Sequence, residues 1–344
     1  MEYVTLGSTG LKISRLVVGG AHFGDGLDQG ATAAVVGAAW DIGVNAIYTA
    51  DYYSGGAAET IIGNVVAACR DDIVLMTRVG MPVSGLSHPE YRSAPVGRRE
   101  RDQWLMQRGI PPTSHGLSRK NLIRAVEDSL RRLQTDYIDL YEVHVWDAET
   151  PLEETLNALN DLIVQGKVRY LGVGSAATEG WRLYKALWAS SMKGYARFES
   201  IQAHYNLLER SSERDPFPAA ADAGVGVLAF NSLAGGLFSG LEDFSTRPHL
   251  LPDGGLLEQY TDRYWKPNYI SYARRLNDLA SQLGRTPVEL AQGWVLAQPA
   301  VTAIRTNPTY PSQLATQAKA VDNPLSDAEL DAVAKLLVSE TPGP

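Results

Sequence analysis

The sequence predicts an α/β fold, a (β/α)8 TIM barrel with an N-terminal β-hairpin and long loops after strands 3 and 7. Short β-prone segments alternate with segments of helical periodicity along most of the chain, about eight times in all. Because a strand that returns through a helix lies parallel to its predecessor, such a series closes most simply into a barrel. An open doubly wound sheet is the alternative, but Gly19, Gly20 and Gly24 lack the G-x-G-x-x-G spacing typical of it.

The first half of the chain begins with the hairpin, over residues 4–14, where Gly7 and Gly10 separate β-prone runs. Strands are predicted at residues 15–20, 45–49 and 73–79, and helices at 31–42 and 57–69. Gly43 follows the first of these helices and indicates its end.

The second half continues the same alternation. Ser118 is a suitable N-cap for a helix over 119–134. Further helices are predicted at 151–166, 181–191, 213–223, 269–283 and 311–321, and strands at 137–144, 168–173, 200–204, 225–230 and 300–304. The connections 80–117 and 241–267 are long and leave the carboxyl ends of strands, where barrel active sites lie.

Composition limits the classes of protein and partner. Of 344 residues, 44% are hydrophobic and 20% are charged, as expected for a single globular barrel domain over residues 1–344. The net charge of −8 disfavours nucleic acid and anionic membranes as partners. Cys69 is the only cysteine, and there is no signal-like N-terminal segment and no apolar run of about 18 residues. We therefore expect a cytoplasmic protein without disulfides or membrane spans.

Polar side chains collect at the predicted strand ends. The set consists of His22, Tyr48, Asp51, Tyr52, Tyr53, Arg78, His144, Gln202 and His204. It offers proton donors and a fixed cation, but the histidines have no short pairing or neighbouring carboxylates that would predict a metal site. Neither a G-x-S-x-G elbow nor a P-loop occurs. The glycines within 231–237 either hold a phosphate or merely permit a tight turn.

Five segments, taken in order, resemble the aldo-keto reductase superfamily, and the resemblance extends over residues 3–335. They are 48–59, similar to the family pattern D-T-A-x-x-Y-G-x-G-x-S-E, and 136–144, 166–174, 202–210 and 228–237. The resemblance implies a barrel that binds NADPH and reduces a carbonyl, with a tyrosine as proton donor beside a histidine. Position by position, these residues are Tyr53 and His144.

Two other positions depart from the family pattern. The family aspartate falls on Tyr48 and the family lysine on Arg78. A buried arginine without a carboxylate would cost several kcal/mol, on the order of 3 to 5 when a pair is broken. Glu142 or another carboxylate could turn toward Arg78, or Arg78 could receive an anionic group of a small-molecule substrate. The sequence leaves both open.

The resemblance implies cofactor-binding roles for Ser175, Gln202, Phe230, Ser232, Leu233, Gly236, Asn307, Gln313 and Gln317. The family's S-N pair reads Gly174-Ser175, and the run 305–317 has no basic residue for a 2′-phosphate apart from Arg305. NADP, NAD or loss of the dinucleotide therefore stay open.

Three functions follow from these observations. The first is an NAD(P)-dependent oxidoreductase acting on a carbonyl or alcohol. The second is a redox-neutral dehydratase, lyase or isomerase that uses Tyr48, Tyr53, His144 and Arg78 for proton transfer without hydride transfer. The third is a non-catalytic binding protein on the same fold, since fold alone does not establish function.

Overall fold

A computed structural model describes residues 1–83, 98–174, 179–245 and 256–338. Its strands are Tyr3–Thr5 (β1), Lys12–Ser14 (β2), Leu16–Gly19 (β3), Ala46–Tyr48 (β4), Val74–Val79 (β5), Ile138–Val143 (β6), Val168–Val173 (β7), Phe198–His204 (β8), Gly226–Phe230 (β9) and Ala303–Thr306 (β10). The eight strands from β3 to β10 form a closed barrel in which each strand is parallel to its neighbours, and β10 pairs with β3. The predicted barrel and its hairpin are confirmed.

Helices surround the barrel. They are Gln29–Asp41 (α1), Ala57–Val66 (α2), Arg98–Met106 (α3), Arg119–Leu133 (α4), Leu152–Val164 (α5), Gly180–Lys193 (α6), Phe217–Asp222 (α7), Leu256–Tyr264 (α8), Pro267–Leu283 (α9), Pro287–Leu296 (α10), Pro311–Asp322 (α11) and Asp327–Val338 (α12). In α4 the side chain of Ser118 accepts from Asn121 N, as predicted for its N-cap. Among the described residues, no helix combines the length and apolar composition of a membrane span.

The hairpin β1–β2 closes one end of the barrel. Leu6 and Ile13 are fully buried and belong to the apolar cluster inside the barrel. A Cβ at Gly7 would lie 2.4 Å from the carbonyl oxygen of Glu199 and 3.0 Å from the nitrogen of Gly226, near the beginnings of β8 and β9. The hairpin therefore covers the amino ends of the strands, and a functional site belongs at the opposite end.

Several predicted boundaries were wrong. The last strand was expected at 300–304 and is Ala303–Thr306. Instead of a helix over 213–223, a 3₁₀ turn at Ser211–Glu213 precedes α7, which begins directly after Pro216. Proline has no N–H for an intrahelical hydrogen bond, so a continuous helix through this position is disfavoured.

Four helices were not predicted. Parts of the two long connections form α3 and α8, and α10 and α12 are further additions. In α10 every residue after Pro287 is buried, so the sequence shows no amphipathic period there. Its capping box was the available signal: Thr286 Oγ1 accepts from Glu289 N at 3.2 Å, and Glu289 Oε2 accepts from Thr286 N at 2.9 Å.

A paired carboxylate holds α12 against the start of α10. Arg285 Nε and Nη2 donate to Glu329 at 2.8 and 3.1 Å, and these hydrogen bonds lower the pKa of Glu329 to about 2. A carboxylate with a depressed pKa stabilises the fold above its unfolded value of about 4.3, and this contribution is lost as the pH falls toward 2.

We expect Glu329→Gln to lower the free energy of unfolding by about 1 kcal/mol at pH 7 and by less at pH 3. Urea unfolding at both pH values measures the difference. Asp331→Asn, which changes an exposed carboxylate of the same helix, is the control and should have little effect. An equal loss at both pH values would contradict the assigned role of the carboxylate charge.

Candidate active site

Tyr53, Arg78 and His144 meet at the carboxyl end of the barrel. Tyr53 begins a 3₁₀ turn after β4, Arg78 lies near the end of β5, and His144 follows β6. Arg78 Nη1 is 3.5 Å from His144 Nε2, and Arg78 Cζ is 5.6 Å from the centre of the Tyr53 ring. The Tyr53 and His144 ring centres are 6.5 Å apart. The structure thus brings together the three groups that the sequence singled out.

Tyr48 lies deeper, within the barrel. Its hydroxyl donates to Asn307 Oδ1 at 2.9 Å, and its ring centre is 4.8 Å from Arg78 Cζ and 4.7 Å from Arg305 Cζ. A Cβ at Gly19 would lie 1.9 Å from the ring, so glycine provides the space for it. Burial raises the pKa of Tyr48. Tyr48 is therefore a neutral hydrogen-bond donor and does not replace the charge of the family aspartate.

Glu142 supplies the carboxylate that Tyr48 does not. Its Oε2 is 3.5 Å from Arg78 Nε and 2.8 Å from Arg305 Nη1. These contacts are ion pairs without hydrogen-bond geometry, because both oxygens of Glu142 lack a hydrogen-bond partner among the described residues. Burial opposes the charge of Arg78, but neighbouring negative charge, including that of Glu142, outweighs burial and raises the pKa of Arg78. Of the two compensations left open above, the structure contains the first.

Arg305 also changes the surroundings of a predicted cofactor residue. Its side chain is fully buried in the barrel, where it is paired with Glu142. Arg305 Nη1 donates to Gln202 Oε1 at 2.8 Å. Gln202, which the resemblance assigns to the nicotinamide carboxamide, is therefore held inside the barrel by Arg305.

Other members of the predicted polar set lie around this centre. The Tyr52 ring is 4.8 Å from that of Tyr53 and 5.1 Å from that of His144, and burial raises the pKa of Tyr52. Asp51 is buried, and the pKa of its carboxyl is raised by burial and by Glu59. Asp51 thus contributes no exposed anion to the centre.

The remaining histidines of that set occupy the rim. His204 Nε2 lies 2.6 Å from the Tyr264 hydroxyl and 2.7 Å from Asn231 Nδ2, and its ring stacks on Phe230. His22 lines the adjacent cavity, and burial lowers its pKa. In the described parts of the chain, no group of three or more His, Cys, Asp or Glu side chains is arranged to hold a metal ion.

A cavity of about 620 Å³ adjoins the centre. Seven predicted cofactor residues line it: Phe230, Ser232, Leu233, Gly236, Asn307, Gln313 and Gln317. Gln202 is not among the lining residues that the structure describes, and Ser175 lies outside the described residues. Asn307 both lines the cavity and accepts from Tyr48, so it connects the cavity to the candidate centre.

The cavity walls suit a phosphate-containing ligand. Ser312 and Gln313 lie in the first turn of α11, and Pro287 and Val288 begin α10, so two helix N-termini border the space. Helix N-termini carry partial positive charge and favour phosphate groups. The turn after β9 adds left-handed backbone at Gly235 and Gly236, which glycine adopts without strain.

Sequence reasoning placed His22 at this rim but missed the part of the wall from 286 to 288, together with Tyr260. The capping box at Thr286 would have located the first of these. Among the described lining residues, only His22 and Arg305 have basic side chains. Burial lowers the pKa of His22, and Arg305 is paired with Glu142, so neither offers a free cation to a 2′-phosphate.

The aldo/keto reductase family model matches residues 15–338. An uncharacterized oxidoreductase of Bacillus subtilis, YrpG, is 34% identical over 100% of this chain and 97% of its own length. The aldo-keto reductase dtxS3 of Metarhizium robertsii is 33% identical, covering 86% of this chain and 80% of the relative. Versiconal hemiacetal acetate reductase of Aspergillus parasiticus is 30% identical over 87% and 86%. With this fold and these matches, the chain belongs to the aldo/keto reductase family.

Proposed function

We propose that the protein is an NAD(P)-dependent oxidoreductase that interconverts a carbonyl compound and its alcohol. The main support is the placement of Tyr53, charged Arg78 and His144 beside a cavity with two helix N-termini at its wall. The cavity volume lies within the range of cofactor sites. When bound there, the dinucleotide supplies or accepts the hydride.

In this proposal Tyr53 donates a proton to the carbonyl oxygen. A free phenol ionises near pH 10, so a nearby cation is needed to make the transfer reversible at working pH. Arg78 provides that cation and, unlike lysine, keeps its charge throughout. His144, in contact with Arg78, orients the carbonyl oxygen toward the phenol.

We propose NAD rather than NADP as the preferred cofactor. The reason is the lack of a free cation among the described lining residues of the cavity. A phosphate with ordinary charge gains most from Arg or Lys partners. Gln313, which lines the cavity from the first turn of α11, is uncharged, and its Oε1 accepts from Thr309 N at 2.7 Å.

We propose that the substrate is a small molecule and that anionic compounds are among those accepted. We also propose a cytoplasmic location for the protein. The guanidinium group of Arg78 supports an anionic substrate, because its Nη2 has no hydrogen-bond partner among the described residues. The acidic net charge of the chain continues to disfavour nucleic acid and anionic membranes.

A redox-neutral enzyme is the second candidate, and one observation favours it. Arg305 holds Gln202 inside the barrel, so the cavity has lost one side chain that the resemblance assigns to the nicotinamide. Tyr53, His144 and Arg78 would then move protons without hydride transfer. Binding of a dinucleotide distinguishes the two candidates.

We expect NADH to quench the fluorescence of the 7 tryptophans on binding, and to bind at least about tenfold more tightly than NADPH. Gln313→Arg should narrow or reverse this preference, because it adds a cation to the cavity wall. Gln165→Arg, at an exposed position after α5, is the control. Failure of both nucleotides to bind at millimolar concentration would remove the oxidoreductase proposal and leave the redox-neutral one.

A further inference from the structure

We propose that Glu142 and Arg305 are positioning residues that, together with Arg78, set the net charge beside Tyr53. In this view, the carboxylate absent from position 48 has been relocated to position 142, where Arg78 and Arg305 share it. The inference rests on the proposed function in one respect, namely that Tyr53 exchanges the proton.

The three charged side chains form one buried layer across the barrel. Arg78 is 3% exposed, and Glu142 and Arg305 are fully buried. They come from β5, β6 and β10, so no local sequence segment contains the whole layer. Two guanidinium groups and one carboxylate leave this layer with one net positive charge.

Neighbouring residues provide space and hydrogen bonds for the layer. On β7, Gly172 pairs with Glu142, and a Cβ there would lie 3.0 Å from Glu142 Cγ and 2.5 Å from Ser200 Oγ. Arg305 Nη1 donates to Gln202, and Arg305 Nη2 lies 3.4 Å from Met76 Sδ. The layer is therefore an accommodated part of the packed interior.

The excess positive charge faces Tyr53. Around Tyr53 lie Arg78 from β5, His144 after β6, Tyr48 from β4 and the adjacent Tyr52. Burial raises the pKa of Tyr48 and of Tyr52, so both stay neutral. Negative charge that develops on the Tyr53 oxygen as it donates its proton would thus lie beside this positive layer, whose nearest guanidinium carbon is 5.6 Å from the ring centre.

Single substitutions should move the ionisation of Tyr53 in opposite directions. Glu142→Gln raises the layer charge to two and should shift the midpoint to lower pH by about one unit, whereas Arg305→Gln removes a positive charge and should shift it upward by a similar amount. The double variant Glu142→Gln/Arg305→Gln restores one net charge and should return the midpoint close to that of the unchanged protein. Arg305→Lys keeps the charge and should move the midpoint little.

The midpoint is read by NMR titration of the full chain labelled with ¹³Cζ-tyrosine, with the Tyr53 signal identified by its loss in Tyr53→Phe. The pH dependence of kcat/KM gives a second reading. Asp139→Asn is the control, because Asp139 pairs with Arg70 at 2.9 Å near the beginning of β6, away from Tyr53. This control should leave the midpoint unchanged.

The inference would be overturned if the midpoint shifted in the same direction in Glu142→Gln and Arg305→Gln, or if it shifted in neither. A double variant whose midpoint did not return to that of the unchanged protein would also overturn it. If Glu142→Gln does not fold, Arg305→Gln and Arg305→Lys still decide it, since only the former should move the midpoint. The NMR reading needs no turnover. If the midpoints shift as expected but the protein reduces no carbonyl compound, the proposed function is wrong, whereas the inferred role of Glu142 and Arg305 is retained.

Discussion

Replacing Tyr53 with phenylalanine is expected to lower the rate of carbonyl reduction by about 10²-fold to 10⁴-fold, the usual contribution of a positioned general acid. The substitution removes the hydroxyl but keeps the ring beside Arg78 and His144. NADH binding should change little, because Tyr53 is not among the cavity-lining residues that the structure describes. Initial rates with an aromatic aldehyde and NADH, together with fluorescence titration, measure both quantities.

Tyr52→Phe is the matched control for this prediction. Its ring packs against the rings of both Tyr53 and His144, yet burial raises the pKa of Tyr52 and makes it a poor proton-exchanging group. We expect a loss of less than about tenfold in the rate. A larger loss of rate for Tyr52→Phe than for Tyr53→Phe would show that Tyr53 is not the proton donor and would refute the proposed mechanism.

Gly19→Ala is expected to have the largest effect on stability, a loss of about 3 kcal/mol or more in the free energy of unfolding. The added Cβ would lie 1.9 Å from the buried ring of Tyr48, so the ring has to move. That movement would also break the hydrogen bond from Tyr48 to Asn307 and disturb the wall of the 620 Å³ cavity. Urea unfolding gives the stability, and NADH titration gives the effect on the cavity.

Two variants make this test specific to the contact with Tyr48. Gly37→Ala lies in α1 with nothing within 4 Å of the added Cβ, and should be neutral or slightly stabilising. In Gly19→Ala/Tyr48→Ala the clash is absent, so the second substitution should cost less in the Gly19→Ala background than alone. Additive losses would show that the clash is not the cause.

The barrel could be predicted because alternating strands and helices are a local pattern. Helix α4 and its cap at Ser118 followed from spacing and residue type alone. Helix α10 could not be found by periodicity, since it is buried on all sides. The boundaries of β10 were displaced because apolar residues before Ala303 resemble a strand but lie outside the ladder.

The candidate site was predictable where its residues lie at strand ends. Tyr53 and His144 follow β4 and β6, and parallel strands bring such positions to one edge. The contact between Glu142 and Arg305 was not predictable, because it crosses the barrel between distant segments. One signal was available: an arginine in a strand predicted to be buried requires a partner, although the sequence does not say which one.

The hairpin closes the amino end of the barrel, and the candidate site lies at the carboxyl end. Leu6 and Ile13 fill the end of the barrel opposite Tyr53, so they screen the fully buried Glu142 from solvent on that side. Ligands seated at the other end would cover the side of the charged layer that faces Tyr53. Destabilising the two short strands of the hairpin would admit water at the amino end and raise the effective dielectric constant around the charged layer. The electrostatic effect of that layer on Tyr53 would then be weaker, so the hairpin would support the proposed chemistry from the opposite end of the barrel.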